Sequence, residues 1–182
     1  MSIIRTNQIT NAAGDGSPII PGSVLQVKYF QLTTSQTETI SSANADQAIS
    51  NFTVNITPKS SSSIIKLDAQ LFFETANAVH SSLFFFFRDS TKLANTQSSP
   101  SNRKIGIASG TLSYYADDAD STPDMLHMGY FDTPNTTSAI AYKLGCVMSG
   151  TSNLFINRTV TDTDNNAFER GTSYISATEI GG

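Results

Sequence analysis

The sequence predicts an all-β protein, a β-sandwich of the jelly-roll type preceded by an extended N-terminal arm. From Val24 onward, apolar and polar residues alternate with the period of two that is typical of strands. Gly, Pro, Asn and Asp separate these runs, and no segment keeps helical spacing for three turns. We therefore expect two regions, an arm over residues 1–22 and a β-sandwich domain over residues 23–182.

The predicted arm has too few apolar residues to bury a core of its own. Three isoleucines in its first half stand among polar residues, and Gly14 and Gly16 then suit a turn with positive φ. Pro18 and Pro21 prevent a helix or a central strand. An arm of this composition is expected to become ordered by lying on another subunit.

The predicted sandwich contains about eight to ten short strands, separated by polar loops. One helical turn is expected at residues 44–48. The predicted strands cover residues 24–32, 51–57, 64–73, 83–89, 105–108, 112–115, 125–132, 138–148, 153–158 and 173–180.

Four consecutive phenylalanines dominate the strand predicted at residues 83–89. A strand places successive side chains on opposite faces, so two rings lie on each side of the sheet. An outer pair of rings in contact with water would favour aggregation, and a second subunit or a covering loop is expected to hide it. We assign the oligomer interface to Phe84, Phe85, Phe86 and Phe87.

Aromatic residues near the acidic loop at residues 116–124 are candidates for recognition of a glycan. Aromatic faces beside carboxylates suit sugar recognition, although packing in the core explains the same residues. The candidate contacts are Tyr114, Tyr115, Asp117, Asp118 and Tyr130.

The sequence offers little material for catalysis, and we expect no enzyme activity and no cofactor. Nucleotide-binding, serine-hydrolase and zinc-protease motifs are missing from the sequence. The one cysteine, Cys146, stands in an apolar run and is expected to be buried. His80 and His127 are far apart in sequence. A trimer would allow one histidine per subunit to meet on its axis as a metal site, but a surface or packed position is the favoured interpretation.

Two acidic segments leave calcium binding as an open alternative. Residues 161–166 resemble the start of a calcium loop, but Ala167 stands where an EF-hand requires glycine. A polar turn is therefore the favoured interpretation there, and Arg158 and Arg170 are expected to fix this loop through carboxylates such as Asp162. The acidic loop at residues 116–124 is a second region where calcium is left open.

Charge and hydropathy argue against nucleic acids and membranes as partners. The net charge is −4, the pI is near 5.0, and only 11 basic residues are scattered along the chain. Phosphate binding requires concentrated basic residues. The first seven residues lack a signal-peptide pattern, and no apolar run reaches the roughly 18 residues of a membrane span. Synthesis in a cytoplasm is expected.

Three segments in the C-terminal half carry a resemblance to a known group of proteins. They are residues 132–143 (DTPNTTSAIAYK), 153–159 (NLFINRT) and 169–180 (ERGTSYISATEI). Their order resembles the C-terminal half of tailed-phage virion proteins, many from marine phages, called tail fibre, head fibre or structural proteins. Residues 58–67 (PKSSSSIIKL) resemble the middle of that group, and the arm motifs IRTNQI and GDGSP are similar to the start of phage fibres.

The resemblance implies a β-folded virion protein without catalytic residues. We therefore expect a fibre or capsid-decoration subunit that forms a homo-oligomer, a trimer, and contacts other virion proteins of capsid, neck or tail. A receptor-binding fibre tip that recognises a host surface glycan is the alternative, and a glycan-cleaving enzyme is the third hypothesis. The arm residues assigned to virion anchoring are Ile3, Ile4, Arg5, Ile9, Pro18 and Pro21.

Overall fold

A computed structural model describes residues 18–75, 81–94, 103–110 and 121–182 of the chain. Every regular element in these ranges is a strand, so the predicted all-β fold class is confirmed. The strands are β1 (Val24–Leu32), β2 (Gln36–Ile40), β3 (Gln47–Ile56), β4 (Ile64–Thr75), β5 (Leu83–Arg88), β6 (Thr91–Leu93), β7 (Ala108–Ser109), β8 (Asp124–Asp132), β9 (Ile140–Val147), β10 (Ser152–Ile156) and β11 (Ser173–Ile180).

The strands form two antiparallel sheets. The larger sheet has the order β1-β11-β4-β10-β2, with β8 on the other edge of β4. The smaller sheet has the order β3-β9-β5-β6, and the short β7 also pairs with β5. All of these pairings are antiparallel, so neither sheet needs helical crossover connections.

The core lies between the inner faces of the two sheets. Strand β4 shows the pattern most clearly, because its odd-numbered residues from Ile65 to Phe73 are buried and alternate with less buried neighbours. Aromatic contacts join the sheets directly: Phe73 lies 5.2 Å from Phe84, and Phe30 lies 5.7 Å from Phe52 between ring centroids. Each fully buried apolar side chain contributes about 1.5–3 kcal/mol to folding.

The predicted strand boundaries agree best where the alternation is regular. Strands β1 and β11 have the predicted bounds. The short strands β2 and β6 were not predicted, and residues 105–108 contribute only the start of β7. The predicted helical turn at residues 44–48 is wrong, because Asn44 has φ 60° and β3 already begins at Gln47. The strand predicted at residues 112–115 lies outside the described residues.

Strand β4 is long enough to pair with two different strands along one edge. Strand β11 pairs with it as far as Gln70, and β10 pairs with it from Phe73 onward. Between these two positions the backbone of Phe72 has neither strand directly opposite. Its N–H donates to the hydroxyl of Ser173 at 2.9 Å, and its carbonyl accepts from the N–H of Asn157 at 2.9 Å.

The buried side chain of Asn157 completes the network at this point. Its Oδ1 accepts a hydrogen bond from the Ser173 hydroxyl at 2.7 Å. Its Nδ2 donates to the carbonyls of Leu32 at 2.7 Å and Thr34 at 3.0 Å, in the connection between β1 and β2. Asn157 has φ 60°, a conformation that Asn tolerates better than most side chains. One residue therefore fixes the junction of four strands.

We predict that Asn157→Ala lowers the free energy of unfolding by about 3 kcal/mol, because it leaves buried groups unpaired and because alanine is more strained than asparagine at positive φ. Asn157→Gly loses the same hydrogen bonds without that strain and is expected to cost about 1 kcal/mol less. Urea unfolding monitored by circular dichroism measures both values. An alanine variant as stable as the glycine variant would contradict the role of the positive φ.

Candidate functional site

The larger sheet has two distinct ends. At one end, which we call the arm end, β1 starts at Val24, β11 stops at Ile180 and β4 starts at Ile64, in mutual register. At the other, the loop end, Phe73 of β4 is opposite Asp124, the first residue of β8. The nine-residue step from Ile64 to Phe73 separates the two ends by about 30 Å.

The predicted arm enters the sheet at the arm end, beside the C-terminal residues. Gly22 donates its N–H to the carbonyl of Gly181 at 2.6 Å, and the N–H of Gly181 donates to Ser23 at 2.9 Å. Pro18 is half-buried and Pro21 is exposed. The other assigned arm residues lie outside the described residues: Ile3, Ile4, Arg5 and Ile9. Their role in anchoring stays a prediction.

Large apolar side chains are exposed at the arm end. Ile20 is 58% exposed and Val24 is 61% exposed, and Ile19 beside them is also exposed. Single exposed apolar residues are common, but these three share the place where the chain enters the sheet. The arm end therefore offers apolar surface to a neighbouring molecule.

Glu179 organises the arm end as a buried carboxylate. It accepts hydrogen bonds from Gln26 Nε2 at 2.6 Å, the Lys59 N–H at 2.6 Å and the Ser63 hydroxyl at 2.7 Å. Burial alone raises the pKa of Glu179. The hydrogen bonds from Gln26 and Ser63 and from the backbone of residues 59 and 60 outweigh that effect, so its pKa is lowered from 4.5. The carboxylate form thus holds the serine-rich loop before β4.

Because the pKa of Glu179 is lower in the folded protein, its contribution to stability is present above about pH 4.5 and is lost as the pH falls. We predict that Glu179→Gln destabilises the protein by about 2 kcal/mol at pH 7. Toward pH 3 the difference from the unmodified protein is expected to shrink. Urea titrations at several pH values measure this, with the exposed Asp164→Asn as a control. A constant difference at all pH values would contradict the assignment.

A second buried carboxylate, Glu74, organises the loop end. It accepts hydrogen bonds from the N–H of Thr122 at 2.8 Å, the hydroxyl of Thr122 at 3.0 Å and the N–H of Val160 at 2.6 Å. The pKa of Asp124 is raised by burial and by the charge of Glu74. Glu74 therefore joins the residues that lead into β8 to the loop between β10 and β11.

The loop between β10 and β11 is also held by its arginines, as the sequence predicts. Arg158 donates to the carbonyls of Thr159 and Val160. Asp162 forms ion pairs with both Arg158 and Arg170. These contacts confirm a structural role for the arginines. They also engage the first carboxylate of the segment that resembles a calcium loop.

Only one of the five candidate glycan contacts, Tyr130, lies within the described residues. Four of them lie outside the described residues: Tyr114, Tyr115, Asp117 and Asp118. Tyr130 is half-buried, packs against the core and is opposite Leu67, an inner residue of β4. It is also six residues, or about 20 Å along β8, from Asp124 at the loop end. Packing against the core therefore accounts for Tyr130, and its role as a glycan contact stays a prediction.

The phenylalanine strand is covered within the chain itself. Phe84, Phe85 and Phe86 have no exposed surface, and Phe87 is half-buried. On the outer face, the rings of Phe85 and Phe87 meet edge to face at 5.1 Å between centroids. Lys92 Nζ lies 4.0 Å from the Phe85 centroid. Phe85 therefore presents no exposed ring to a second subunit, and the oligomer interface assigned to residues 84–87 stays a prediction.

A glycine on the neighbouring strand makes this packing fit. Gly145 on β9 is opposite Phe85, and a Cβ at this position would lie 2.7 Å from the Phe85 ring. It would lie equally close, at 2.6 Å, to Phe87. The missing side chain lets both rings lie close to the sheet. The oligomer interface predicted on this strand would therefore have to form without the rings that the chain itself buries.

We predict that Phe85→Ala lowers the free energy of unfolding by about 3–5 kcal/mol, as expected for a fully buried phenylalanine, and leaves the oligomeric state unchanged. Phe131→Ala serves as the control for stability, since Phe131 is 63% exposed and its truncation is expected to cost under about 0.5 kcal/mol. Urea unfolding and light scattering at matched concentrations test this. Dissociation of an oligomer by Phe85→Ala without loss of subunit stability would restore the interface.

The cysteine and the histidines are the remaining candidates for a nucleophile or for metal ligands. Cys146 is fully buried in the core, and burial, followed by the charges of Glu38 and Asp46, raises its pKa to about 12. His127 is exposed on β8, and His80 lies outside the described residues. Within the described ranges, no three His, Cys, Asp or Glu side chains are grouped to hold a metal ion. Those ranges also contain no helix able to cross a membrane.

Comparison with known proteins yields structural neighbours alone. No family model matches the chain, and no curated protein matches it. The infectious bursal disease virus VP2 subviral particle is 12% identical, covers 87% of this chain and has a TM-score of 0.38. Structures of the Gt and Gx strains of that virus are 13% identical, each covers 98% of this chain, and their TM-scores are 0.41 and 0.38.

This chain spans only 42–46% of the length of those viral chains. At TM-scores below 0.5 and identities near one in eight, the likeness transfers no role to it. The proposed role therefore has to rest on the ends and faces of the sandwich.

Proposed function

We propose that the chain is a non-enzymatic structural subunit of a virus particle, a fibre or capsid-decoration module. Its N-terminal arm, residues 1–22, docks onto capsid, neck or tail, and its β domain forms a homo-oligomer, a trimer. The observation that carries this proposal is the separation of the two ends of the sandwich. The arm enters beside exposed apolar residues, and the loops fixed by Glu74 lie about 30 Å away.

This arrangement suits a module that is anchored at one end and exposed at the other. A docked arm end would cover Ile19, Ile20 and Val24, three of the large apolar side chains exposed in the described residues. The loop end would then point away from the particle. The sequence resemblance to tailed-phage virion proteins supports the same orientation, since it includes the short arm motifs at residues 4–9 and 14–18.

Oligomerisation is placed at the arm end in this proposal. The phenylalanine strand supplies no exposed ring apart from part of Phe87. Apolar surface at the arm end is available to sister copies as well as to the particle, and burial of apolar area is the main driving force of association. A trimer would bring three arms together at one docking point.

The second candidate function is binding of a host surface glycan. Exposed aromatic rings on the outer face of the larger sheet favour it, with Tyr29 73% exposed and Phe131 63% exposed. The two functions are compatible, because a decoration or fibre subunit that docks by its arm leaves that face available.

Deletion of residues 1–17 tests the docking role. The shortened chain keeps the hydrogen bonds between Gly22, Ser23 and Gly181, so we expect its thermal unfolding and circular dichroism to be unchanged. We predict that it is no longer incorporated into particles, measured by immunoblot of purified virions after expression beside the intact chain. Asp164→Asn in the full chain is the control, because Asp164 is exposed in the loop between β10 and β11. Incorporation of the shortened chain at the normal level would reject the anchoring role.

A further inference from the structure

The outer face of the larger sheet is a patterned surface across β1, β11, β4 and β8. Residues directly opposite in an antiparallel pair lie on the same face, so the register of these strands defines rows across the sheet. Three rows cross the middle of this face: Val27–Thr178–Lys66–Phe131, Tyr29–Ser176–Asp68–Gly129 and Gln31–Tyr174–Gln70–His127.

Exposed apolar side chains form a ridge along each side of this face. Val27 and Tyr29 on β1 are 53% and 73% exposed, and Met125 and Phe131 on β8 are 48% and 63% exposed. Strands β1 and β8 are three strand spacings apart, which separates the ridges by about 14 Å. Two aromatic rings thus stand at opposite sides of a central floor.

The floor between the ridges is polar and contains a shallow, open depression. Asp68, His127 and Tyr174 line it together with Gly129. A Cβ at residue 129 would lie 3.3 Å from Asp68 Oδ1, so the glycine keeps the floor open. Lys66 Nζ forms an ion pair with Asp68 at 3.0 Å, which leaves the floor close to neutral.

This pattern is the reverse of a protein–protein interface. Such interfaces have an apolar centre depleted of charge and a polar rim. Here Lys66 and Asp68 lie at the centre, and the large exposed apolar side chains lie on the two flanking strands, where His127 adds a polar group between Met125 and Phe131. Anionic ligands are disfavoured as well, because the one lysine of the floor is already paired and the chain is acidic. A neutral ligand with both apolar faces and many hydroxyl groups fits the surface.

We propose that this face binds a short neutral oligosaccharide laid across the strands. Tyr29 and Phe131 stack on the apolar faces of sugar rings at the two ends of the ligand. Asp68, Gln70 and His127 exchange hydrogen bonds with hydroxyl groups over the floor. The inference rests on the proposed binding of a host glycan and gives it a site distinct from the acidic loop.

Titration with neutral oligosaccharides tests this site. The full chain is titrated with maltotriose, cellotriose and chitotriose, with saturation-transfer NMR and the ring resonances of its two histidines as readouts. Binding of at least one trisaccharide is expected, and it should shift the resonances of His127. Tyr29→Ala and Phe131→Ala should each weaken binding roughly five- to tenfold.

Two further variants test the contribution of the polar floor separately from that of the apolar ridges. Gly129→Val fills the depression and is expected to abolish binding, and Asp68→Asn is expected to weaken it. Ile20→Ala is the matched control, because it truncates an exposed apolar side chain off this face and should bind like the unmodified chain. Circular dichroism and urea unfolding of each variant show whether the fold is retained. If a floor variant fails to fold, the saccharide binding of Tyr29→Ala and Phe131→Ala tests the site.

Three results would overturn the site. They are failure of all three trisaccharides to bind, equal binding by the ridge variants and the control, and a change in oligomeric mass on Tyr29→Ala or Phe131→Ala without any saccharide binding. The last result would identify the face as a contact between copies. Particle incorporation of the ridge variants should be normal, and the chain lacking residues 1–17 should still bind saccharide. Loss of sugar binding and loss of docking can therefore be told apart.

Discussion

The larger sheet depends on how β4 changes partner along one edge. Where β4 stops pairing with β11 and starts pairing with β10, the N–H and carbonyl of Phe72 have no strand partner. Such backbone groups cost free energy if they are left unpaired inside the protein. Ser173 and Asn157 satisfy both groups and one another. Asn157 also donates hydrogen bonds to the end of β1 and to the connection between β1 and β2, so it links these two strands to the junction. This junction therefore links β1, β4, β10 and β11 within the larger sheet.

Buried carboxylates with neutral donors fix the connections around the sheets. Glu38, Glu74 and Glu179 each accept hydrogen bonds from backbone N–H groups, together with side-chain amides or hydroxyls. Asp132 differs, because it pairs with Arg88 and accepts from the Tyr142 hydroxyl at 2.6 Å. In a chain with few charges, an acidic group that collects several N–H donors orders a loop without a basic partner. The two ends of the sandwich thereby become well-defined surfaces.

Period-two alternation was sufficient to predict the fold class and most of the strands, because one buried face imposes it on the sequence. It could not show which strands pair, and pairing decides what covers an outer face. The sequence left open whether a second subunit or a covering loop hides the outer phenylalanine rings, because nothing in it showed Gly145 opposite Phe85. Tyr130 shows the same limit: its inward position along β8 was readable, but the register with β4 that places it opposite Leu67 was not. Glu179 did carry a signal, since it occupies an inward position of β11 after Ser173, Ile175 and Ala177.

The burial of Cys146 has a practical consequence for work on this protein. Its thiol is sealed in the core with a strongly raised pKa, so alkylating reagents at neutral pH have almost no thiolate to attack in the native state. A cysteine introduced at an exposed position then becomes the sole fast-reacting group, and spectroscopic probes can be attached without first removing the natural residue. Conversely, the rate at which Cys146 itself is labelled reports how often the sandwich opens.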